Sequence, residues 1–171
     1  MIALRDNEKE LIQDRKAALE KNNIKQFFSN FPSNCGNIAP MLIGSGFDLF
    51  RYIDRVMPNM FNGSTIDTFD IPEGPVSIDK QAFYGCESLK SITIPDTVRR
   101  IGQEAFEGCT SLKNVFIPDS VVNIQSHAFP HIDKIKLSTP RRGARNKLYL
   151  PKQDIEWYRE HLVFIDEKEG E

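Results

Sequence analysis

A chain of 171 residues that is 40% hydrophobic and 27% charged, with a formal charge of −2, has the make-up of one folded unit with a real core, which excludes wholesale disorder. The near-neutral balance singles out no nucleic-acid or membrane partner, and no apolar run is long enough to span a bilayer. Three cysteines, an odd number without a Cys-x-x-Cys pair, argue against a disulfide framework and for buried thiols.

The opening MIALRDNEKELIQDRKAALEK is charged too early for a signal peptide, which points to the cytoplasm. Asp6 as N-cap, Glu8 and Glu10 in the first turn, and Leu11, Ile12, Ala18 and Leu19 on one face predict an amphipathic helix. NFPSNCGNIAP reads as a loop, and a second helical segment is expected over residues 47–56, where Phe47, Phe50 and Ile53 share a side. IGSGF at 43–47 lacks the Lys-Ser of a P-loop and the third glycine of a dinucleotide fingerprint, so it is read as a helix junction.

From Phe69 the chain repeats with a period of 23: FDIPEGPVSIDKQAFYGCESLKS, ITIPDTVRRIGQEAFEGCTSLKN, VFIPDSVVNIQSHAFPHIDKIKL. Self-similarity at this period signals a solenoid, since one coil cannot bury its own apolar face and stacked coils can. Leu89, Ile92 and Ile94 alternate as the inward side of a strand, Pro-Asp or Pro-Glu turns the chain, and Ile-x-x-x-Ala-Phe carries it back. Stacking coils about 4.8 Å apart places each Phe of Ala-Phe on the next.

The pattern I-P-x-x-V-x-x-I-x-x-x-A-F-x-G-C-x-S-L-K closely resembles the BspA-like leucine-rich repeats. RVMPNMFNGSTIDTFDIP resembles a degraded first coil, with Val56, Phe61, Gly63 and Ile66 at repeat positions and Ser64 for Cys. LYLPKQDIEWYREHL resembles the strand and short helix that close such arrays, with Gln153 or Asp154 as helix cap and Trp157 as lid. In the third unit His131 and Ile132 stand where Gly and Cys stood, and STPRRGARNK is an insertion after which Leu148 and Leu150 resume the inward strand positions.

The expected fold is therefore α+β: a short leucine-rich-repeat solenoid of about four 23-residue coils with a parallel sheet, an N-terminal helical cap and a C-terminal helix. Residues 1–50 form the cap or, alternatively, a docking arm; 51–162 form the solenoid with its insertion loop at 138–147; 163–171 are an acidic tail.

Nothing in the pattern supplies catalysis: the three histidines join no metalloprotease motif, and no Gly-x-Ser-x-Gly elbow is present. His127, His131 and Asp133 are a weak metal candidate, and no cofactor is expected. The informative residues point out of the strands. Translation by one period gives the columns Thr68, Ser91, Asn114, Lys147 and Asp70, Thr93, Phe116, Tyr149. Phe116 and Tyr149 are then expected about 5 Å apart on adjacent strands, as a contact site unless the loop or helix covers them.

A basic group of Lys134, Lys136, Arg141, Arg142, Arg145 and Lys147 lies beside them, and Lys90, Lys113 and Lys136 are read as one column. The candidate partner-binding set is Asn114, Phe116, Lys136, Arg141, Arg142, Arg145, Lys147 and Tyr149. The resemblance implies a non-enzymatic protein-protein interaction module, and the small size and simplicity of the chain point to an inhibitor or adaptor of a host protein, for example a phage-encoded one. The alternatives are nucleic-acid binding through RRGARNK with aromatic stacking, and a structural subunit of a larger assembly; open strand edges leave room for self-association.

Overall fold

The computed structural model describes residues 38–46, 49–51, 53–138 and 148–165. Its elements are helix α1 (Ile38–Gly44), a 3-10 turn (Leu49–Arg51), strands β1 (Thr68–Asp70), β2 (Ser77–Ile78), β3 (Ser91–Thr93), β4 (Arg100–Ile101), β5 (Asn114–Ile117), β6 (Asn123–Ile124) and β7 (Lys134–Ser138), a 3-10 turn (Lys152–Asp154), helix α2 (Ile155–His161) and strand β8 (Leu162–Ile165). Each repeat thus supplies two short strands, one where the Leu-x-x-Ile-x-Ile run ends and one at the isoleucine after the Pro turn.

All pairings are parallel. On one side β1 pairs β3, and β5 pairs β7, which pairs β8. On the other, β2, β4 and β6 form a second ladder that lines up Ile78, Ile101 and Ile124. Val56 extends it before Ile78 and Tyr149 after Asn123. Leu89, Ile92, Ile94, Val115 and Ile117 are buried while Ser91, Thr93, Asn114 and Phe116 are exposed, the alternation expected of strands with one face on a core.

Between the ladders runs a column of phenylalanines. Phe61, Phe83, Phe106 and Phe129 stack with centroids 4.7, 5.2 and 4.9 Å apart and ring planes within 8° of parallel. Phe69 tilts against Phe61 at 4.7 Å and Phe50 against Phe69 at 6.2 Å. The degraded coil therefore joins the stack: Phe61 is its first ring, and Ser64 is buried where later coils carry cysteine.

Backbone hydrogen bonds repeat with the rings. The amides of Phe61, Phe83 and Phe106 donate to the carbonyls of Ala82, Ala105 and Ala128 in the following coil, at 2.7 to 3.0 Å. Two residues earlier Asn59, Gln81, Glu104 and His127 all take left-handed φ of 53 to 57°. That conformation costs an L-residue about 1–2 kcal/mol, yet it recurs in each coil because it turns the amide along the stack. Asn59, Gln81 and Glu104 donate to the carbonyls of Lys80, Gln103 and Ser126.

Several elements differ from expectation. Residues 38–44, read as loop and junction, form α1, and the helix expected over 47–56 is a single turn at Leu49–Arg51, with Val56 drawn into the second ladder instead. The predicted helix after Asp6 lies outside the described residues. In the third coil Asn114 pairs with Lys134, 20 positions on, whereas Thr68 pairs with Ser91, 23 on. Three residues have been lost after Phe129, so Ile132 falls opposite Leu112 rather than at the cysteine position. Residues 163–165, expected to open the tail, instead belong to β8, which pairs alongside β7.

Phe106 has a ring on each side, so Phe106→Ala is expected to destabilise the fold by about 3–5 kcal/mol in denaturant unfolding. Gly102 is set by a different contact: a Cβ there would lie 2.6 Å from the Asp79 carbonyl carbon and the Lys80 nitrogen of the preceding coil. Gly102→Ala must push two backbones apart, with an expected loss of about 1–3 kcal/mol by the same measurement.

Candidate functional site

The face built by the outer residues of β1, β3, β5, β7 and β8 is divided in chemistry. At its N-terminal end the polar groups satisfy one another: Thr93 donates to the Asp70 carboxylate, and Lys90 lies 4.0 Å from Asp67. Towards the C-terminal end, Phe116 is 43% exposed and sits opposite Lys136, which in turn sits opposite Val163, 37% exposed. Asn114 sits opposite Lys134. Neither Lys134 nor Lys136 enters an ion pair among the described residues. The result is an aromatic ring, an aliphatic side chain and two lysines on one sheet.

Of the predicted set, Asn114, Phe116 and Lys136 come together here. Tyr149 does not. It is 63% exposed but pairs with Asn123 in the second ladder, its amide donating to the Val122 carbonyl at 2.8 Å. The expected Phe116–Tyr149 contact is therefore corrected to Phe116 beside Lys136. The cause is the shortened third coil: with three residues lost, KIKL itself becomes the next strand, and the chain after the insertion enters the opposite ladder. The same shift removes Lys136 from the column of Lys90 and Lys113, where Asp133 now stands, its amide bonded to the Lys113 carbonyl at 2.9 Å. Arg141, Arg142, Arg145 and Lys147 lie outside the described residues. Val163 and the placement of Lys134 were missed, although the alternation Lys-Ile-Lys-Leu at 134–137 carries the strand signal by itself.

The cysteines behave as structural thiols. Cys86 and Cys109 are fully buried and free, and their Sγ–H groups donate to the carbonyls of Phe61 at 2.9 Å and Phe83 at 3.1 Å, one coil back. Hydrogen bonding with Cys86, followed by burial, pushes the Cys109 thiol far up, so it stays protonated and unreactive. Cys35 lies outside the described residues. His127, His131 and Asp133 form no potential metal cluster, nor does any group of three or more such residues among those described.

The other end of the stack is closed by the second 3-10 turn and α2. His127 has the left-handed conformation of Gln81 and Glu104 but no following coil to receive its amide. The Asp154 carboxylate takes that hydrogen bond at 2.7 Å. Asp154 is the residue before α2, as expected, yet its side chain makes no bond to its own helix. Tyr158, not Trp157, is the fully buried lid residue, and Trp157 stacks on His161 at 4.2 Å. Burial, with the Asp154 charge beside it, raises the Tyr158 pKa and keeps the phenol neutral.

Short parallel strands in register, a buried Leu-x-x-Ile-x-Ile side and a stacked Ala-Phe column are now established over the middle of the chain. Residues 53–143 match the family described as BspA type Leucine rich repeat region, in six copies. The chain belongs to that family. Leucine-rich repeat proteins generally mediate protein-protein interaction, and this family is typically non-enzymatic. Among solved structures, a leucine-rich repeat protein from Bacteroides ovatus ATCC 8483 is similar at 25% identity and a TM-score of 0.44, over 64% of this chain and 32% of that one. The BspA-type chain described here thus spans about a third of that protein. No curated protein matches it. Among the described residues no helix is long and apolar enough to cross a membrane.

The Tyr158 hydroxyl is buried without a hydrogen-bond partner. An orphaned buried hydroxyl costs about 1–3 kcal/mol of desolvation. Tyr158→Phe is therefore expected to leave thermal stability unchanged or raise it by up to about 1 kcal/mol, whereas Tyr158→Ala should cost about 3–5 kcal/mol by opening the lid.

Proposed function

We propose that this BspA-type repeat protein is a protein-binding module, acting as a small adaptor or inhibitor, whose contact face is the C-terminal half of the strand sheet. The observation that carries the reading is Phe116, a large ring standing 43% exposed on a rigid strand beside Lys136. Aromatic residues flanked by cations on preformed surfaces are the usual anchors of protein interfaces, since they bring much apolar area at small entropic cost. Val163 extends the apolar patch, and Lys134 and Lys136, without an ion-pair partner among the described residues, favour a surface with carboxylates at matching positions. The arginine-rich insertion, which follows β7 directly in the chain, adds positive charge to the same reading.

Two further parts belong to this proposal. The segment before Val56 serves as the N-terminal cap: Ala39, Leu42, Leu49 and Phe50 are buried, and Phe50 packs on Phe69 of the first coil. The protein works in the reducing cytoplasm, a reading supported by Cys86 and Cys109 being free thiols bonded to backbone carbonyls.

The test is capture of partners from lysate by wild type, Phe116→Ser/Lys136→Glu and Tyr149→Ser, with and without nuclease. Because Phe116 and Tyr149 are exposed and Lys136 is half-buried on the outer face of its strand, each variant should keep wild-type stability within about 1 kcal/mol. A protein retained by wild type and Tyr149→Ser, and weakened by roughly 30-fold or more in Phe116→Ser/Lys136→Glu, is the expected result. Loss with Tyr149→Ser alone would move the site to the second ladder. Capture abolished by nuclease would replace protein binding with nucleic-acid binding through the basic insertion.

A further inference from the structure

Where α2 closes the stack it leaves a cavity of about 180 Å³ lined by His127, Phe129, Pro130, Gln153, Asp154, Trp157 and Tyr158. It lies on the last coil, apart from the strand face of Phe116 and Lys136. Cavities that take whole metabolites or drug-sized ligands run from about 300 Å³ upward, so this one admits a single head group. Its walls are chiefly aromatic, and the rings of Trp157 and Tyr158 meet at 85° with centroids 5.1 Å apart. Perpendicular rings make a corner, which suits a rounded group and gives a flat ring no slot between parallel planes.

The charge of the lining selects among rounded groups. Asp154 is the one lining residue that carries a formal charge when the His127 side chain is neutral, and it is negative. Its carboxylate is fixed in place by the His127 amide at 2.7 Å. Aromatic faces add negative potential of the same sign, and the Tyr158 phenol is held neutral by burial. An anion would meet repulsion from the Asp154 carboxylate, and a neutral aliphatic group would fill space without using it. A compact cation uses both.

We propose that this end pocket binds a compact organic cation of the trimethylammonium or lysine head-group class, with Asp154 as counter-charge and Trp157 and Tyr158 as the walls. The site is independent of the strand-face reading, and it stands or falls separately.

Trp157 is the chain's only tryptophan, so its intrinsic fluorescence reports the pocket directly. The full chain would be titrated at pH 8 with choline and with its uncharged isostere 3,3-dimethyl-1-butanol. A saturable change with choline, at least about 10-fold tighter than with the alcohol, is the expected result. Asp154→Asn retains an acceptor for the His127 amide while removing the charge, so it should keep the fold, checked by thermal melting, and lose about 10-fold in choline affinity. A peptide carrying trimethyllysine, run in parallel, separates the two sources of such a cation: tighter binding of the peptide assigns the pocket to a partner's side chain, tighter binding of choline to a free head group. Equal binding of choline and the alcohol, an unchanged affinity in folded Asp154→Asn, or no saturable signal with any probe would overturn the proposal.

Discussion

The fold depends on one translational constraint: whatever a coil presents along the stack axis, the next coil must receive. Phenylalanine meets phenylalanine at about 5 Å, and an amide meets a carbonyl at the same places in successive coils. The left-handed residues follow from this. At Asn59, Gln81 and Glu104 an ordinary side chain tolerates a costly φ because an amide otherwise lost would be buried between coils without a partner. Glycine would adopt that backbone more cheaply, but Gln81 and Glu104 also bond to each other, Nε2 donating to Oε2 at 2.6 Å, so the side chains repeat the constraint in a second set of contacts. The thiols repeat it in a third: each carbonyl that takes a cysteine Sγ–H also takes an amide from within its own coil, at Ser64 for Phe61 and at Cys86 for Phe83.

A stack governed by translation has two ends where the rule cannot be met, and the ends are where the sequence stops repeating. At the last coil the His127 amide has the geometry of its predecessors and no carbonyl to meet, so Asp154, reaching back from the start of α2, substitutes a carboxylate. Because α2 must also cover the apolar end, Tyr158 is driven fully under cover even though its hydroxyl finds no partner there. The pocket between Phe129, Trp157 and Asp154 is thus a by-product of ending a periodic structure with an aperiodic one: a helix laid across a stack cannot fill it as another coil would.

The interior of the array was readable in advance for the same reason that it is stable. A period of 23 letters that keeps Ile, Ala and Phe in place can satisfy the translation in one way, and the Phe column, the buried isoleucines, the buried cysteines and the outward Asn114 and Phe116 all follow from it. What was misread is local to the places where the period breaks. The third coil keeps Ala128 and Phe129 in register but loses three residues immediately after, and a reading that carries the period of 23 onward therefore puts Lys136 and Tyr149 into the wrong rows. A strand pattern in KIKL was visible, but choosing it over the period requires knowing that the ladder must continue at once, with Ile135 and Leu137 inward. The β8 strand was hidden for another reason: LVFI follows the helix in the chain but pairs with β7, and no local pattern announces a partner across an intervening helix.

These departures from the period also explain why one half of the strand face is a better candidate for contact than the other. In regular coils a residue is followed one period on by its counterpart, so small polar groups arise in rows, Thr68 with Ser91 and Asp70 with Thr93, and in the second row Thr93 donates to the Asp70 carboxylate. The shortened coil instead brings unlike residues side by side: phenylalanine against lysine, asparagine against lysine, lysine against valine. Among the described residues no side-chain hydrogen bond or ion pair joins the members of these pairs, and Phe116 and Val163 keep apolar area open to an outside surface. Periodicity builds a rigid platform whose regular part is internally satisfied, and the interruption of that periodicity, by three missing residues, is what leaves chemistry exposed on it.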